Sequence, residues 1–186
     1  ASFGHAAYFG LGAYAAAIAA KHGAPMLGAL ALSPLAALAG ALVFGWFCVR
    51  LSGVYLAMLT LAFAQITWSI AFQWDSVTGG SNGVVGVWPA AWLADRHAYY
   101  WFALLVCSAA LAAIAWIAQA PFGYALRAGR DSPLRAEALG IDVRRTQWMA
   151  FASAGAFAGL AGGLFAFSKG SISPETLAIP RSVDAL

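Results

Sequence analysis

Five long apolar stretches most constrain what this chain can fold into. They cover residues 3–20, 24–49, 51–74, 98–120 and 146–168, and none of them contains Asp or Glu. A helix needs about 20 mainly apolar residues to cross the hydrocarbon core of a bilayer, and each stretch has or approaches that length. The pattern predicts an all-α integral membrane protein, a polytopic bundle with about five transmembrane helices.

The composition excludes a soluble globular domain. Charged residues make up 9% of the chain and hydrophobic residues 62%, whereas about 25% of an ordinary soluble domain is charged. A chain with so few charges cannot cover its surface with polar groups in water. We therefore expect a lipid bilayer around it, and we expect residues 1–186 to form a single transmembrane domain of a longer protein.

Neither the charge nor the cysteines indicate another class of site. The net charge is only +3, and the basic residues cluster on one side of the predicted membrane, so we expect no nucleic-acid partner. Cys48 and Cys107 lie within apolar stretches, without Cys or His neighbours at metal-ligand spacing. The sequence therefore predicts no metal site.

The segment 122–147 is the one long polar run of the chain, and it sets the predicted orientation. Its basic residues are Arg127, Arg130, Arg135, Arg144 and Arg145. Lys and Arg are enriched in cytoplasmic loops, so we expect this segment to be cytoplasmic together with Arg50. The first, third and fifth stretches then run outward. The opposite side holds Lys21, Arg96, Lys169 and Arg181.

This polar segment also carries the signals of a short helix. Ser132 suits the N-cap, the proline after it suits the first helical position, and Gly140 suits the left-handed position beyond the end. Together they predict a helix over 133–139, with Leu134 and Ala138 on one face. A short helix with a small apolar face is typical of an element that docks into a partner.

Small residues recur at helical spacing within the apolar stretches. They are Gly155, Gly159 and Gly163 in the fifth, Ala37, Ala41 and Gly45 in the second, and Gly12, Ala16 and Ala20 in the first. In a bilayer, small residues let helix backbones approach closely, where van der Waals contact drives association. We expect these residues to pack helices rather than to act chemically.

Five motifs occur in an order and spacing that resemble one membrane protein family. They are SFGHAAYFGLGAY at 2–14, TGGSNG at 78–83, RAGRD at 127–131, AEALGI at 136–141 and AGLAGGL at 158–164. The arrangement resembles the LivM-type permeases, which are the membrane subunits of ABC importers for branched-chain amino acids. The resemblance covers nearly the whole chain, and family members extend beyond both of its ends.

The resemblance implies a subunit that forms part of the translocation path and is not itself an enzyme. Its partners would be a second permease subunit of similar fold, cytoplasmic ABC ATPase subunits and a periplasmic or extracellular substrate-binding protein, at the bacterial cytoplasmic (inner) membrane. The chain has no GxxxxGK[ST] phosphate-binding loop. ATP would therefore be used by the partner subunit, and we expect this chain to bind no cofactor.

In such importers, a short cytoplasmic helix of the permease sits in a groove of the ATPase and transmits its closure. The resemblance gives this coupling role to the segment 122–147, where AEALG at 136–140 is similar to the coupling loop of related permeases. The residues it indicates are Arg127, Arg130, Asp131, Leu134, Ala136, Glu137, Ala138 and Gly140. Arginines here also suit the plainer role of anchoring the chain at the membrane interface.

A second group of residues suits the translocation path or its outer mouth. It consists of His5, Tyr8, Gln65, Thr78, Gly79, Gly80, Asn82 and Gly83. Gln65 lies mid-span, where it would either hydrogen-bond helices or line a path. A lone His near a helix start is more often structural than a gate. The segment 78–83 suits either a flexible outer loop or a tight re-entrant turn that receives substrate.

Three other functions are alternatives, and the residues of the chain count against two of them. An ABC importer for urea or short amides would have a similar permease. An ion-driven secondary transporter usually carries Asp, Glu or His within its spans, and these stretches contain no Asp or Glu. An intramembrane enzyme would need a paired nucleophile and base or a set of metal ligands at membrane depth, whereas His5, His22 and His97 are dispersed.

Overall fold

The computed structural model describes residues 5–51 and 53–173, which are almost entirely helical. In chain order, the helices within these ranges are α1 (His5–Lys21), α2 (Met26–Cys48), α3 (Gly53–Gln73), α4 (Asp75–Thr78), α5 (Arg96–Gln119), α6 (Pro121–Asp131), α7 (Pro133–Ala138) and α8 (Val143–Lys169). Two short strands, β1 (Val84–Val85) and β2 (Ser171–Ile172), pair antiparallel. Arg181 and the start of the first motif lie outside the described residues.

The helices confirm the predicted all-α polytopic membrane fold. Within the described part of the chain, four of them, α2, α3, α5 and α8, are long and apolar enough to cross a membrane. The first predicted span corresponds to α1, whose 17 described residues lie at the lower limit for a spanning helix. Helix α1 is also well enclosed by the bundle, because the alanines along it are largely buried.

The helices α1, α2 and α8 form the core of the bundle, where their backbones touch. The glycines of α8 that face α2 are Gly155, Gly159 and Gly163. A Cβ added at Gly155 would lie 2.5 Å from the Cβ of Ala41, and a Cβ at Gly159 would lie 2.8 Å from the carbonyl oxygen of Ser33. Neither distance leaves room for a side chain, so glycine permits the close approach that stabilises helix pairs in lipid.

The other side of α8 is packed equally closely against α1. A Cβ at Gly162 would overlap the carbonyl oxygen of Phe9, and a Cβ at Gly12 would overlap the backbone of Gly159. Gly159 therefore lies between two helices, with α2 on one side and α1 on the other. This three-helix contact fixes α8 within the bundle.

The two ends of the bundle hold different elements. At one end, which we call the inner end, α6 and α7 follow α5, and Arg50 lines a cleft together with Arg144 and Arg145. At the opposite, outer end, the amide N–H groups of Gly86 and Val87 donate to the carbonyl oxygen of Gly170, each at 3.1 Å. The predicted grouping of Arg50 with the central polar segment agrees with this arrangement.

A compact apolar cluster closes the outer end. Val84 and Val87 pack with Ile172, and all three are buried. They join Tyr14 of α1 and Phe167 of α8 in the same cluster. The strand pair therefore joins the end of α8 to the long segment between α4 and α5. The sequence patterns did not predict this pairing.

The prediction that 122–147 is a loop with one short helix was wrong at both of its ends. Pro121 begins α6, an 11-residue helix that runs to Asp131. Helix α8 begins at Val143 rather than at the predicted 146, because the side chain of Asp142 accepts a hydrogen bond from the amide of Arg145 at 3.0 Å and caps the helix. The short helix between them was predicted correctly, and it covers Pro133–Ala138.

The substitution Gly159→Leu should separate α8 from both α1 and α2. Overpacking of a filled core typically costs about 1–3 kcal/mol, and here the new side chain meets backbone on two sides. We expect much less assembled protein in the membrane, measured by immunoblotting and size-exclusion chromatography. Ala161→Leu, at an exposed position of the same helix, is the matched control. Normal abundance and assembly of Gly159→Leu would contradict this packing.

Candidate functional site

The short helix α7 is the most accessible apolar element at the inner end. Leu134 is 82% exposed and Leu139, directly after the helix, is 79% exposed. Ala138, which shares a face with Leu134, is also exposed. Two leucine side chains this exposed on one short element form a small apolar surface at the inner end. Leu139 was not among the predicted contact residues.

The end of α7 is fixed by its backbone. Gly140 has a φ of +82°, the left-handed conformation predicted for it. Its amide donates to the carbonyl oxygen of Glu137 at 2.9 Å, and the amide of Ile141 donates to that of Ala136 at 3.0 Å. These two bonds form a Schellman motif, which satisfies carbonyl groups that the helix end would leave free. The chain then turns directly into the first residues of α8.

The start of α7 differs from the prediction in one respect. Ser132 occupies the N-cap position, but its side chain makes no capping hydrogen bond. The amide of Ala136 instead donates to the Ser132 carbonyl oxygen at 3.0 Å, the first bond of the helix. The proline at the first helical position lacks the N–H that would otherwise need a partner there.

Of the other predicted coupling residues, some make contacts that join helices of this chain and others are exposed. The Arg127 guanidinium donates to the Ala118 carbonyl oxygen at 2.6 Å and lies over the Tyr124 ring, so it joins α6 to the end of α5. Arg130 and Asp131 form an exposed ion pair with each other at 3.1 Å. An ion pair this exposed contributes little to stability.

The two remaining residues of the AEALG motif lie on other sides of α7. Ala136 is 2% exposed and faces the protein, so it positions the helix and offers nothing to a partner. Glu137 is exposed and lines the inner cleft with Arg50 and the start of α8. The exposed side chains of α7 and of the residue after it therefore include Leu134, Ala138 and Leu139 together with Arg135.

The predicted outer-mouth segment is a tight turn rather than a loose loop. The Thr78 hydroxyl donates to the carbonyl oxygens of Ala71, at 2.6 Å, and Trp74, at 2.8 Å, so it ties the turn to the end of α3. Because this buried hydroxyl is already bonded within the chain, Thr78 acts as a structural residue here. Asn82 is exposed at the surface of the turn.

Three glycines give the outer turn its shape. Gly79, Gly80 and Gly83 all have positive φ values, of +73°, +53° and +70°. A Cβ at Gly83 would overlap the carbonyl oxygen of Ile172, so this glycine lets the turn lie directly against β2. The turn is thereby joined to the end of α8.

Polar side chains follow one exposed face of α3. Gln65 and Gln73 are exposed, with the partly buried Ser69 between them. The three residues are spaced four apart and so lie in one row along the helix. The Gln73 amide donates to the Ser69 hydroxyl at 3.0 Å. Polar groups on a spanning helix usually face a bundle interior or an aqueous path rather than lipid.

This row of polar residues was only partly predicted. Gln65 was singled out, but the spacing of 65, 69 and 73 was not, although it is readable from the sequence. Thr60 and Thr67, which also lie on α3, differ from the row because they are buried. Their hydroxyls donate to carbonyl oxygens one turn back in the same helix.

The structure does not bring all the predicted path residues together. His5 and Tyr8 lie at the inner end of α1 and line a cleft with Leu126 of α6. Tyr8 is buried and packs edge-on against Phe151, with 5.7 Å between ring centroids. The turn 78–83 lies at the outer end, so these residues occupy opposite ends of the bundle.

An apolar groove of about 540 Å³ runs between α1, α2 and the outer half of α3. Tyr14 lines it and is 5% exposed. Among the described residues, its hydroxyl is the one buried side-chain polar group without a hydrogen-bond partner. Gly40 and Phe44 line the opposite wall. Nothing in the sequence pattern singles out this hydroxyl.

Comparison with known proteins identifies the family of this chain. The model of the family described as "Branched-chain amino acid transport system / permease component" matches residues 1–186. The chain belongs to this family. Membership confirms the resemblance drawn from the motifs and agrees with the multi-pass helical fold.

Two curated relatives of this permease-family chain match almost all of it. Both carry the name "High-affinity branched-chain amino acid transport system permease protein LivM", one from Escherichia coli (strain K12) and one from Salmonella typhimurium (strain LT2). Each is 29% identical over an alignment of 212 residues, which covers 98% of this chain and 50% of the relative. The chain thus spans about half the length of these relatives. No solved structure matches it significantly.

The substitution Gly83→Ala should open the outer turn. Its side chain would overlap the Ile172 carbonyl oxygen and would sit at a positive φ. We expect loss of the β1–β2 pairing, so that a cysteine placed at the buried position Val87 reacts several times faster with a membrane-impermeant thiol reagent. Gly86→Ala is the matched control, because Gly86 has a φ of +90° but no atom within 4 Å of the added Cβ. Equal reactivity in both variants would contradict the contact.

Proposed function

We propose that this chain is part of the membrane-spanning permease subunit of an ATP-driven importer of branched-chain amino acids in a bacterial cytoplasmic membrane. The observation that carries the proposal is the match of the permease family over residues 1–186. The names of the two LivM relatives favour branched-chain amino acids over urea or short amides as substrates.

In this proposal, α7 is the element to which a cytoplasmic ATPase subunit binds. Its exposed leucines, Leu134 and Leu139, offer an apolar contact, and Ala138 between them leaves room for a close approach. A helix of six residues cannot be stable by itself. The Schellman motif and the buried Ala136 support it from within the chain, and a partner groove would enclose its other side. The ATPase would bind and hydrolyse ATP.

The connection from α7 to the core is short and stiff enough to transmit movement. After Gly140 only two residues precede α8, and the Asp142 cap fixes the first turn of that helix. Helix α6 supports the same junction, because a Cβ at Gly129 would lie 3.0 Å from a methyl carbon of Val143. Displacement of α7 would therefore move α8, whose small residues are packed against α1 and α2.

The translocation path would follow the polar face of α3. Gln65, Ser69 and Gln73 point away from the core of this chain, where a second permease subunit of similar fold would supply the opposite wall. Amide and hydroxyl groups can hydrogen-bond the ammonium and carboxylate groups of an amino acid. The outer turn at 78–83 lies at the same end as Gln73 and would face the substrate-binding protein.

The substitution Ala138→Glu should disrupt coupling without harming the membrane domain. It places a carboxylate in the proposed apolar contact, yet Ala138 is exposed and supports nothing within this chain. We expect normal permease abundance, with co-purification of the ATPase reduced at least tenfold, or ATP hydrolysis that no longer responds to loaded binding protein.

The matched control for that experiment is Ala94→Glu, at an exposed alanine near the outer end. It introduces the same side chain where no ATPase can reach, so co-purification should stay normal. Normal uptake and normal stimulated hydrolysis in Ala138→Glu would show that α7 is not a docking element.

The substitution Gln65→Leu tests the proposed path. If Gln65 hydrogen-bonds passing substrate, its loss should lower uptake by at least about tenfold, since a hydrogen bond to a charged group contributes about 1.5–3 kcal/mol. Assembly of the complex should be unchanged, measured by size-exclusion chromatography alongside transport of labelled leucine. Ile66→Leu, at the neighbouring exposed position, is the control. Unchanged uptake would place Gln65 against lipid, and loss of subunit pairing would make it a packing residue.

A further inference from the structure

The inner end holds a charged cleft whose arginines, Arg50, Arg144 and Arg145, have no part in the coupling and path assignments. Its volume is about 350 Å³, and it lies between the end of α2 and the junction of α7 with α8. The charged residues that line it are Arg50, Arg144, Arg145, Glu137 and Asp142. Three arginines that line one concave site differ from a row of arginines on an exposed surface.

The charges of the cleft leave one positive charge unbalanced. Asp142 and Arg145 neutralise each other, because the carboxylate accepts from the Arg145 side chain at 3.0 Å and also caps α8. The remaining charged groups are Arg50, Arg144 and Glu137, and among the described residues neither of these two arginines forms an ion pair. Their sum is +1, which matches a ligand that carries a single negative charge.

The walls of the cleft place it at the membrane surface. Trp46 and Trp148 line it and pack edge-on, with 5.6 Å between ring centroids. The Trp148 indole N–H donates to the Leu42 carbonyl oxygen at 2.9 Å, which fixes that ring, and Arg50 lies 4.9 Å from the centroid of Trp46. Tryptophan concentrates where hydrocarbon meets the headgroup layer. The cleft therefore opens at the depth of lipid phosphates.

We propose that this cleft binds the headgroup of an anionic phospholipid, such as phosphatidylglycerol, from the adjoining leaflet. The phosphodiester sits between Arg50 and Arg144, where guanidinium groups offer paired N–H donors that match phosphate oxygens. The acyl chains lie along the exposed apolar side chains of α2 beside Trp46, among them Val43 and Phe47. Basic pockets between spanning helices commonly bind lipid headgroups in this way.

A lipid is favoured over an ATPase surface because of the two tryptophans. A protein partner approaches α7 from the aqueous side, where Leu134 and Ala138 are exposed. The cleft lies beside the end of α2 instead, where Trp46, Val49 and Trp148 line it together with the charged residues. Glu137 links the two surfaces, because it lines the cleft while the next residue, Ala138, faces outward. A bound lipid would thus support α7 from behind, and lipid composition would affect coupling.

The test measures lipid retention by the assembled transporter. Complex reconstituted in equal amounts of phosphatidylglycerol and phosphatidylcholine is re-extracted in mild detergent, and the bound lipids are quantified by mass spectrometry. Wild type should retain phosphatidylglycerol preferentially. Arg50→Gln and Arg144→Gln should each lower this preference about fivefold, the effect expected for one basic residue near a membrane surface. Glu137→Gln should raise it, because it removes a negative charge from the cleft.

The control is Arg135→Gln, which removes an exposed arginine of α7 that does not line the cleft. Its lipid preference should equal that of wild type. Equal retention of both lipids by wild type, or equal losses in Arg135→Gln and Arg144→Gln, would overturn the proposal. So would displacement of the lipid by soluble glycerol phosphate, which would indicate a site for free phosphate. Loss of ATPase binding in Arg144→Gln with lipid preference intact would assign the cleft to the ATPase.

Discussion

The close approach of α1, α2 and α8 is the contact on which the rest of the structure depends. The hydrophobic effect does not hold helices together in lipid, so van der Waals contact between small residues has to supply the attraction. Gly159 is the clearest case, because it lies against Gly12 of α1 and against Ala37 and Ser33 of α2 at once. With these three helices fixed, α8 connects the short helix α7 at the inner end to the outer turn.

That connection joins elements at opposite ends of the bundle into one packed unit. At the inner end, the Asp142 cap joins α7 to α8. At the outer end, Gly170 accepts two backbone hydrogen bonds from the segment after β1. Between them α8 runs for 27 residues without interruption. Movement imposed at one end of such a helix is carried to the other, because a packed core shifts between discrete arrangements rather than deforming smoothly.

Sequence reasoning predicted those parts of the fold that depend on local signals. The apolar stretches gave the spans, and Gly140 gave the end of α7, because only glycine adopts a left-handed conformation without strain. Helix α6 was missed because its charged residues were interpreted as part of a loop, although its apolar and polar residues follow a helical period and Pro121 is a helix-start signal. The hydrogen bonds from Gly86 and Val87 to Gly170 and the burial of the Tyr14 hydroxyl without a partner depend on residues far apart in the chain. The comparisons established the family, while the candidate site residues stay predictions.

The order of the core helices along the chain has a consequence for biosynthesis. Helix α1 is made first and α8 last of the described helices, yet each needs the other to cover its small residues. Spanning helices insert individually and associate afterwards. The contact between α1 and α8 therefore cannot form until α8 has been synthesised. Until then, the glycine face of α1 lies against lipid or a chaperone. Closure of the core is a late step, and a chain interrupted before α8 would leave an inserted but unassembled set of helices for membrane proteases.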